Sequence, residues 1–366
     1  MRLQTKQNKI KMKSIRNINV KSKRVLLRVD FNEPIKNGKV VDDFRIKKTL
    51  PTINFLKRKG AKVIIISHLT DGKIKSLTPV AKYLKVAFSS QVLGKETEKK
   101  IAEMQNGDVL LLENLRKEKG EEKNDKNFAK RLAKLGDIYV NDAFSASHRN
   151  HASIVGIPKY LPSYAGLLFE EEFKNLQSTF KPKHPSLFIL GGVKFSTKIS
   201  VLEKFVKIAD KIFIGGALAN NFFWAEKIDI GKSVFDKNIN IKKFLRNPKI
   251  VVPIDAQKSG GRILDIGPLA VKEMSFLIKD AKFILWNGPL GNFEIKGFEK
   301  GTVAVAKAIA KSGARSVIGG GDTITAIDKA KIPLKKFSFV STAGGAMLEF
   351  LAKGTLPGIE VLKKSK

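Results

Sequence analysis

The 366-residue chain contains no cysteine, which excludes disulfides, thiolate metal sites and cysteine nucleophiles. Its four histidines do not occur at a metal-binding spacing such as His-Glu-x-x-His. The sequence also lacks an uninterrupted apolar stretch long enough to span a membrane. Acidic residues are scarce, because 34 Asp and Glu stand against 69 Lys and Arg. These absences favour a soluble cytoplasmic protein with no membrane segment and a strongly positive surface.

The net charge of +35 raises the hypothesis of nucleic-acid binding. The basic residues are dispersed lysines, with no zinc-finger spacing and no aromatic–basic motif for single strands. We therefore favour a solvated lysine-rich surface, with nucleic-acid binding incidental or as the alternative. A positive field also attracts anionic substrates, so charge alone does not separate these hypotheses. Residues 1–11 are predicted to be a basic, disordered extension, and translation could begin at Met12.

Length and pattern predict two α/β domains, because 366 residues are many for one open sheet. In the first half, the predicted strands span residues 24–29, 62–67, 109–112 and 137–140. The predicted helices span residues 44–59, 79–85 and 127–135. This alternation is typical of a parallel sheet flanked by helices. A long helical stretch at 161–183 is predicted to cross the domain boundary, after which the alternation restarts.

In the second half, five short apolar runs stop at glycines or small polar residues, and a helical pattern then begins. The runs end at Leu190, Ile214, Trp286, Ile318 and Val340. Such runs are typical of parallel strands buried on both faces. Glycines let backbone N–H groups approach an anion at the start of the next helix. Because parallel strands place their carboxyl ends at one edge, the pattern predicts a phosphate-binding edge.

In the first half, the predicted strands end in charged and polar residues. These are Asp30, Asn32, His68, Arg116 and Arg149, with Arg45 at the start of the first helix. The planar fork of arginine binds phosphate and carboxylate through paired hydrogen bonds. Each residue alone is more often solvated or structural. Their joint placement at strand ends predicts a site for a small phosphorylated carboxylic acid.

Two lysines and an aspartate in the second half could meet a polyphosphate. Lys194 and Lys198 stand four residues apart, so one helix would carry both on one face, although two ordinary surface lysines are the alternative. The preceding glycines do not form a Walker A loop. Asp322 follows three glycines, where its carboxylate could bind Mg²⁺ on nucleotide phosphates, cap the helix, or both.

Motifs in this order resemble those of the phosphoglycerate kinase family from about Met12 to the C-terminus. They occupy residues 28–34, 42–46, 67–69, 113–116, 141–144, 148–149, 191–198, 286–289, 319–323 and 341–346. The resemblance implies two Rossmann-like domains that face each other across a cleft, usually in a monomer. The implied segments are a phosphoglycerate-binding domain at 12–165, an interdomain helix and hinge at 166–183, a nucleotide-binding domain at 184–350, and a return of 351–366 to the first domain.

The resemblance also implies roles for individual residues. The implied phosphoglycerate ligands are Asp30, Asn32, Arg45, His68, Arg116 and Arg149. The implied nucleotide ligands are Lys198, Gly215, Gly216, Asn287, Pro289, Glu294, Gly320, Gly321, Asp322 and Thr323, with Mg²⁺ on Asp322. The implied catalytic groups around the transferred phosphoryl are Arg45, Lys194, Lys198, Gly344 and Gly345.

The implied activity moves a phosphoryl group between 1,3-bisphosphoglycerate and ADP, giving 3-phosphoglycerate and ATP. Both acceptors are already anions, so catalysis would rest on in-line positioning, cations and domain closure rather than on a general base. Two departures stand out. Asp71, in a shortened loop, takes the place of a substrate-binding arginine, and Ala343 replaces a usual glycine, which is tolerable if its φ is below zero. A catalytically weakened nucleotide-binding interaction protein of the same fold is therefore an alternative.

Overall fold

The computed structural model describes residues 12–70 and 76–365. The predicted extension at 1–11 and Asp71 lie outside these ranges. The chain divides into two compact units, one with the described residues up to Phe173 and from Thr355 onward, the other with Lys174–Gly354. No helix within the described ranges is long and apolar enough to cross a membrane.

The first unit is built on a six-stranded parallel sheet. The unit as a whole contains the strands β1 (Arg24–Arg28), β2 (Ile35–Lys36), β3 (Lys39–Val40), β4 (Lys62–Ile66), β5 (Ala87–Ser89), β6 (Val109–Leu112), β7 (Ile138–Asn141) and β8 (Ser163–Ala165). Its helices are α1 (Phe44–Arg58), α2 (Thr78–Leu84), α3 (Lys95–Glu103), α4 (Lys119–Glu122) and α5 (Lys126–Ala133). The sheet order is β5-β6-β4-β1-β7-β8, and β2 and β3 form a separate hairpin. The helix α6 (Leu167–Gln177) contains the division between the units, and a further helix spans Pro357–Lys364.

The second unit repeats this architecture. Its strands are β9 (Ser186–Leu190), β10 (Lys211–Ile214), β11 (Ile250–Val251), β12 (Ala256–Ser259), β13 (Arg262–Ile266), β14 (Phe283–Asn287), β15 (Arg315–Gly319) and β16 (Phe339–Val340). Its helices are α7 (Ile199–Phe205), α8 (Ala217–Ala225), α9 (Pro268–Asp280), α10 (Lys300–Lys311), α11 (Gly321–Lys329) and α12 (Gly345–Lys353). The sheet order is β11-β10-β9-β14-β15-β16, all parallel, and β12 and β13 form an antiparallel hairpin.

Both faces of the first sheet are covered, as the apolar runs predict. Val25 and Leu27 of β1 pack in the cluster that contains Leu56 of α1, whereas Leu26 packs in the cluster that contains Leu132 of α5. Each fully buried Leu or Val contributes about 1.5–3 kcal/mol relative to exposure. The predicted α/β class, with parallel sheets flanked by helices, is therefore confirmed.

The predicted long helical stretch at 161–183 is wrong at both ends, since α6 ends at Gln177 and is followed only by a 3₁₀ turn at Ser178–Phe180. Residues 163–165 form β8, which pairs in parallel with β7, and the helix begins only at Leu167. Pro162 disfavours helical geometry in the residue before it, and the edge of β7 offers backbone hydrogen-bond partners. A three-residue strand carries too little alternation to be recognised in sequence. The same reason explains why β5 and β11 were not predicted.

Candidate active site

In the first unit, the carboxyl ends of β6, β4, β1 and β7 lie next to one another because these strands are neighbours in the parallel sheet. We call the predicted residues at these ends the strand-end cluster. It consists of Asp30, Asn32, Arg45, His68, Arg116 and Arg149. The order of the strands, which sequence alone does not give, is what places these residues at one edge.

Asp30 and Arg45 join the end of β1 to the start of α1. Arg45 Nη1 lies 3.6 Å from Asp30 Oδ2 and donates to the carbonyl of Asn32 at 2.8 Å. The N–H of Asn32 donates to Asp30 Oδ1 at 3.1 Å, and Glu33 Oε1 accepts from the N–H of Arg45 at 2.7 Å. Burial opposes ionisation of Asp30. The charges of Arg45 and Arg28 and a hydrogen bond from Ser145 act against burial, and the pKa of Asp30 lies below its usual range. The carboxylate thus stays charged and orients Arg45.

His68 lies buried at the end of β4, with 6% of its surface exposed. Arg28 Nη2 is 3.2 Å from His68 Nδ1, and Asp30 Oδ1 is 3.8 Å from the same nitrogen. Burial lowers the pKa of His68; the Asp30 carboxylate opposes this shift, while Arg28 and Arg116 add to it. The imidazole is therefore neutral near pH 7 and contributes hydrogen bonding rather than charge.

Arg116 and Arg149 supply positive charge beside His68. Arg116 Nη1 forms an ion pair with Glu122. Among the described residues, Arg116 Nε and Nη2 are buried without a hydrogen-bond partner. Burial lowers the pKa of Arg116, and the charge of Arg149 adds to the effect. Arg149 itself is exposed. Unpartnered buried N–H groups are costly, so this arrangement favours an anionic ligand that accepts from them.

Asn32 also reaches the shortened loop. Its Oδ1 accepts from the N–H of Thr70 at 2.8 Å and from the Thr70 hydroxyl at 3.1 Å. Thr70 is the last described residue before the gap at 71–75. The side-chain amide of Asn32 therefore anchors the beginning of this loop.

Three residues beside the strand-end cluster were not predicted as site residues. Arg28 contacts His68, Ser145 donates to Asp30, and Glu33 accepts from the start of α1. Arg28 was missed because β1 begins and ends with an arginine, and the sequence does not show that Arg28 is the buried one. Its burial, at 1% exposed, is what identifies it, because buried charges need partners, and only the structure shows that burial.

In the second unit, Lys194 and Lys198 flank a 3₁₀ turn at Phe195–Thr197, and α7 begins only at Ile199. The prediction that one helix carries both lysines on a shared face is therefore wrong. Lys194 is exposed, whereas Lys198 is 8% exposed. Burial lowers the pKa of Lys198, and Asp322 opposes the shift.

Both lysines nevertheless line one open pocket of about 320 Å³, which we call the phosphate pocket. Its predicted lining residues are Lys194, Lys198, Asn287, Pro289, Gly320, Gly321, Asp322, Thr323, Gly344 and Gly345. They come from the turns that follow β9, β14, β15 and β16, which are consecutive in the sheet. At the predicted edge, lysines, glycine turns and the first residues of α11 and α12 thus line the same pocket.

Close backbone contacts require glycine at two of these turns. Gly216 has φ +60°, and a Cβ there would meet the backbone nitrogen of Gly192 at 2.8 Å. Gly288 has φ +100°, and a Cβ there would meet the carbonyl oxygen of Gly191 at 2.2 Å. The N–H of Gly191 also donates to the carbonyl of Asn287 at 2.9 Å. These turns are therefore locked together by main chain. Ala343 has φ below zero, so no such constraint applies there.

A second cavity of about 300 Å³, which we call the base pocket, adjoins the phosphate pocket and shares Gly192, Pro289 and Asp322 with it. Of the predicted nucleotide ligands, Gly216 and Glu294 also line it. The other walls come from α8, the β12–β13 hairpin and residues 289–293. Sequence reasoning missed most of these walls because they come from a helix, a hairpin and a loop that are distant in sequence and carry no shared motif.

The surroundings of two predicted residues, Gly215 and Asp322, differ from those expected. Gly215 packs behind the base pocket, where a Cβ would meet Leu290 Cδ2 at 2.5 Å. Asp322 lies exposed in the first turn of α11, but Gly320 is the N-cap and no side chain caps the helix. Capping by Asp322 is thus excluded in this structure, which leaves its carboxylate facing the phosphate pocket. No group of three or more His, Asp or Glu suited to a metal occurs within the described residues.

The family model for phosphoglycerate kinase matches residues 15–354. The chain belongs to the phosphoglycerate kinase family. A phosphoglycerate kinase of Wolbachia sp. subsp. Drosophila simulans (strain wRi) is 44% identical, covering 96% of this chain and 98% of that protein. A phosphoglycerate kinase of Borrelia garinii subsp. bavariensis is 43% identical, covering 93% and 96%.

Solved structures of phosphoglycerate kinases share the fold over nearly the whole chain. The enzyme from Coxiella burnetii is 36% identical with a TM-score of 0.83, covering 97% of this chain and 100% of that one. The enzyme from Pyrococcus horikoshii OT3 is 33% identical with a TM-score of 0.85, covering 97% and 99%. The resemblance to the phosphoglycerate kinase family that the motifs indicated is confirmed.

Proposed function

We propose that this chain is a phosphotransferase that moves a phosphoryl group between 1,3-bisphosphoglycerate and ADP, giving 3-phosphoglycerate and ATP. One observation carries the proposal: a chain of this family holds an arginine-rich strand-end cluster in one unit and a lysine-containing glycine pocket in the other. Both contain cationic side chains suited to anions, and Gly216 and Glu294 line the adjoining base pocket. The weakened interaction protein and the nucleic-acid binder are not favoured by any of these features.

The first unit would hold the phosphoglycerate. Arg45, Arg116 and Arg149 supply guanidinium groups for its phosphate and carboxylate. His68 is neutral and can donate or accept a hydrogen bond without adding charge. Asp30 and Asn32 would then orient these groups, and the charged Asp30 carboxylate could accept a hydrogen bond from the substrate hydroxyl. The unpartnered N–H groups of Arg116 would donate hydrogen bonds to the substrate anion.

The second unit would hold the nucleotide. The base pocket is large enough for part of a nucleoside, and Glu294 at its rim offers a carboxylate to ribose hydroxyls. The polyphosphate would extend into the phosphate pocket, where Lys198 and the starts of α11 and α12 favour negative charge. Gly215 and Gly216 shape the backbone on which the base lies.

The nucleotide would carry Mg²⁺, which Asp322 fits because its carboxylate is exposed in the phosphate pocket while no all-protein cage occurs among the described residues. Bound there, the ion would neutralise charge on the phosphate oxygens.

Catalysis would rest on positioning and charge. The acceptor oxygen is an anion in either direction, so no residue has to remove a proton. Lys194, Lys198, Arg45 and the N–H groups of Gly344 and Gly345 would stabilise the phosphoryl oxygens during in-line transfer. Closure of the two domains would bring the substrates together and exclude water that could hydrolyse the acyl phosphate. As the resemblance implies, we propose that the chain acts as a cytoplasmic monomer, with a phosphoglycerate domain at 12–165, a hinge at 166–183 and a nucleotide domain at 184–350.

A coupled assay with ATP, Mg²⁺ and 3-phosphoglycerate tests this function. We expect turnover that depends on all three components. A Lys198→Ala variant purified in parallel controls for contaminating kinases, because it should lose most of the activity. Normal nucleotide binding without turnover in the unchanged chain would reject the proposal in favour of the interaction protein.

A further inference from the structure

A buried arginine lies directly behind His68. Arg28 ends β1, is 1% exposed, and uses three of its nitrogens on three different partners. Nε donates to Ser153 Oγ at 2.9 Å, Nη1 donates to the carbonyl of Val29, and Nη2 lies 3.2 Å from His68 Nδ1. A guanidinium held at three points has little freedom, so the position of Nη2 is fixed relative to the imidazole.

The charge of Arg28 is balanced through a serine. Ser153 Oγ accepts from Arg28 and donates to Glu121 Oε1 at 2.5 Å, while the N–H of Ser153 donates to Glu121 Oε2 at 2.9 Å. Glu121 has no exposed surface. Burial raises the pKa of Glu121, and the Arg28 charge opposes this shift. The Arg28–Ser153–Glu121 chain is therefore a built, satisfied network rather than an accidental contact.

The donor pattern of arginine decides the protonation of His68. A guanidinium carries only donors, so His68 Nδ1 must accept the hydrogen bond from Nη2. The competing arrangement, in which Nδ1 carries a proton and donates to Asp30 Oδ1, spans 3.8 Å, which is too long for a hydrogen bond. In a neutral ring whose Nδ1 accepts, the proton sits on Nε2.

We propose that Arg28 is a positioning residue that holds His68 as the neutral Nε2–H tautomer, so that the substrate meets a hydrogen-bond donor. This rests on the proposed function, because the acceptor would be a carboxylate or phosphate oxygen of 3-phosphoglycerate. Arg28 itself does not touch the substrate. It fixes the opposite tautomer to the one that a carboxylate or carbonyl selects, because those groups accept from Nδ1–H whereas Arg28 donates to Nδ1.

Ring ¹⁵N NMR of the full chain tests the tautomer without turnover. The His68 signals are assigned by their loss in His68→Gln. We expect the unchanged protein to show a protonated Nε2 and an unprotonated Nδ1. A protonated Nδ1 overturns the proposal whatever the kinetics show. Because this readout needs no substrate, an inactive chain would refute the proposed function and leave the tautomer result standing.

Substitutions test the role of Arg28. Arg28→Met removes the donors, and we expect a mixture of His68 tautomers and a KM for 3-phosphoglycerate raised roughly tenfold, with the KM for ATP unchanged. Arg28→Lys keeps the charge but not the fork, so it should recover only part of the loss. If Arg28→Met does not fold, Ser153→Ala is the test, since it removes the hydrogen-bond partner of Arg28 Nε. It should also give a mixture of tautomers and a higher KM for 3-phosphoglycerate, but with smaller changes than Arg28→Met. An unchanged tautomer and KM in whichever of these variants folds would contradict the proposal.

Discussion

At the scale of single residues, the two proposed anion sites contain different cationic side chains. The strand-end cluster relies on arginines, whose planar forks fix the orientation of a carboxylate or phosphate. The phosphate pocket contains Lys194 and Lys198, whose ammonium groups are compact charges. We propose that they follow the phosphoryl group during transfer. Lys198 is buried and Lys194 exposed, so the two lysines are not equivalent. The exposed side chain of Lys194 is accessible to a ligand in the pocket, as the proposed role in transfer requires.

Lys194→Ala should lower kcat much more than it weakens nucleotide binding. Its charge would stabilise oxygens whose negative charge develops during transfer, so its loss affects the transition state more than the bound substrate. We expect kcat to fall about 100-fold or more, with the KM for ATP changed by less than about threefold. Steady-state kinetics of the coupled assay measure both.

The matched control for this variant is Lys282→Ala, which removes another exposed lysine just before β14. It should leave kcat and both KM values unchanged. If Lys194→Ala behaves like Lys282→Ala, Lys194 has no part in transfer.

Acid should destabilise the first unit through its buried histidines. Burial, together with the charges of Arg116 and Arg149, lowers the pKa of His151 from 6.5 to about 4. Between these values the unfolded chain binds a proton that the folded chain does not, so the free energy of unfolding falls as pH drops. One such group contributes at most about 1.4 kcal/mol per pH unit.

Urea unfolding at about pH 7.5 and about pH 5 measures this effect. The neutral His151→Gln variant should lose less stability between the two pH values than the unchanged protein. His68 affects stability in the same direction, but it is present in both proteins. The difference between their losses of stability therefore reports His151 alone. Equal losses would mean that His151 titrates normally in the folded chain.

At the scale of elements, the glycine turns act as one unit because their backbones contact one another. The turn after β9 donates to the turn after β14, and Gly216 after β10 packs against Gly192. A change in one turn therefore displaces its neighbours, and with them the N-termini that line the two pockets. This coupling is a property of adjacent strands and has no counterpart in any single motif.

Gly216→Ala should destabilise the second unit by about 1–3 kcal/mol, because a left-handed φ and a Cβ contact at 2.8 Å are both unfavourable. The KM for ATP should rise as well, since Gly216 lines the base pocket. Gly313→Ala is the control, because a Cβ there meets no atom within 4 Å. Unfolding curves and nucleotide kinetics compare the two. Equal stability of both variants would show that the backbone at Gly216 adapts without strain.

At the scale of the whole molecule, the net charge of +35 attracts anions of every kind. Within the described residues, the predicted site groups that bind anions lie in the strand-end cluster and the phosphate pocket, whereas most lysines are dispersed over exposed helices and loops. This distribution favours a general field over a nucleic-acid surface.

Raising the salt concentration should therefore weaken binding of both substrates. We expect the KM values for ATP and 3-phosphoglycerate to rise several-fold as ionic strength increases from about 0.01 M to about 0.3 M, because screening shortens the reach of the field. The kcat should change less, since contacts inside the sites are screened less. Salt-independent KM values would indicate that the surface charge does not assist substrate binding.

The nucleic-acid alternative is tested in the same salt series. It predicts tight binding of DNA or RNA whose affinity falls steeply with salt. We expect little binding at physiological salt, measured by fluorescence anisotropy with a labelled oligonucleotide. Tight binding there would reinstate the alternative.

Much of this protein was determined by its sequence alone. The short apolar runs specified buried parallel strands, because alternation is lost when both faces are covered, and every strand predicted from them occurs. The glycines after those runs indicated where anions could approach backbone. Short edge strands such as β8 were not predictable, because three residues carry no period and their partners are distant in sequence.

Only the tertiary structure decided which residues meet. Strand order placed Arg28 against His68 and set the turns of β9, β14, β15 and β16 around one pocket. The structure also gave Lys194 and Lys198 different settings, because a 3₁₀ turn rather than a helix connects them and only Lys198 is buried. Local sequence fixes what a segment can form, since hydrogen bonding and periodicity act between near neighbours. Burial, protonation and tautomer depend on atoms brought from afar, and the packed sheet alone supplies those.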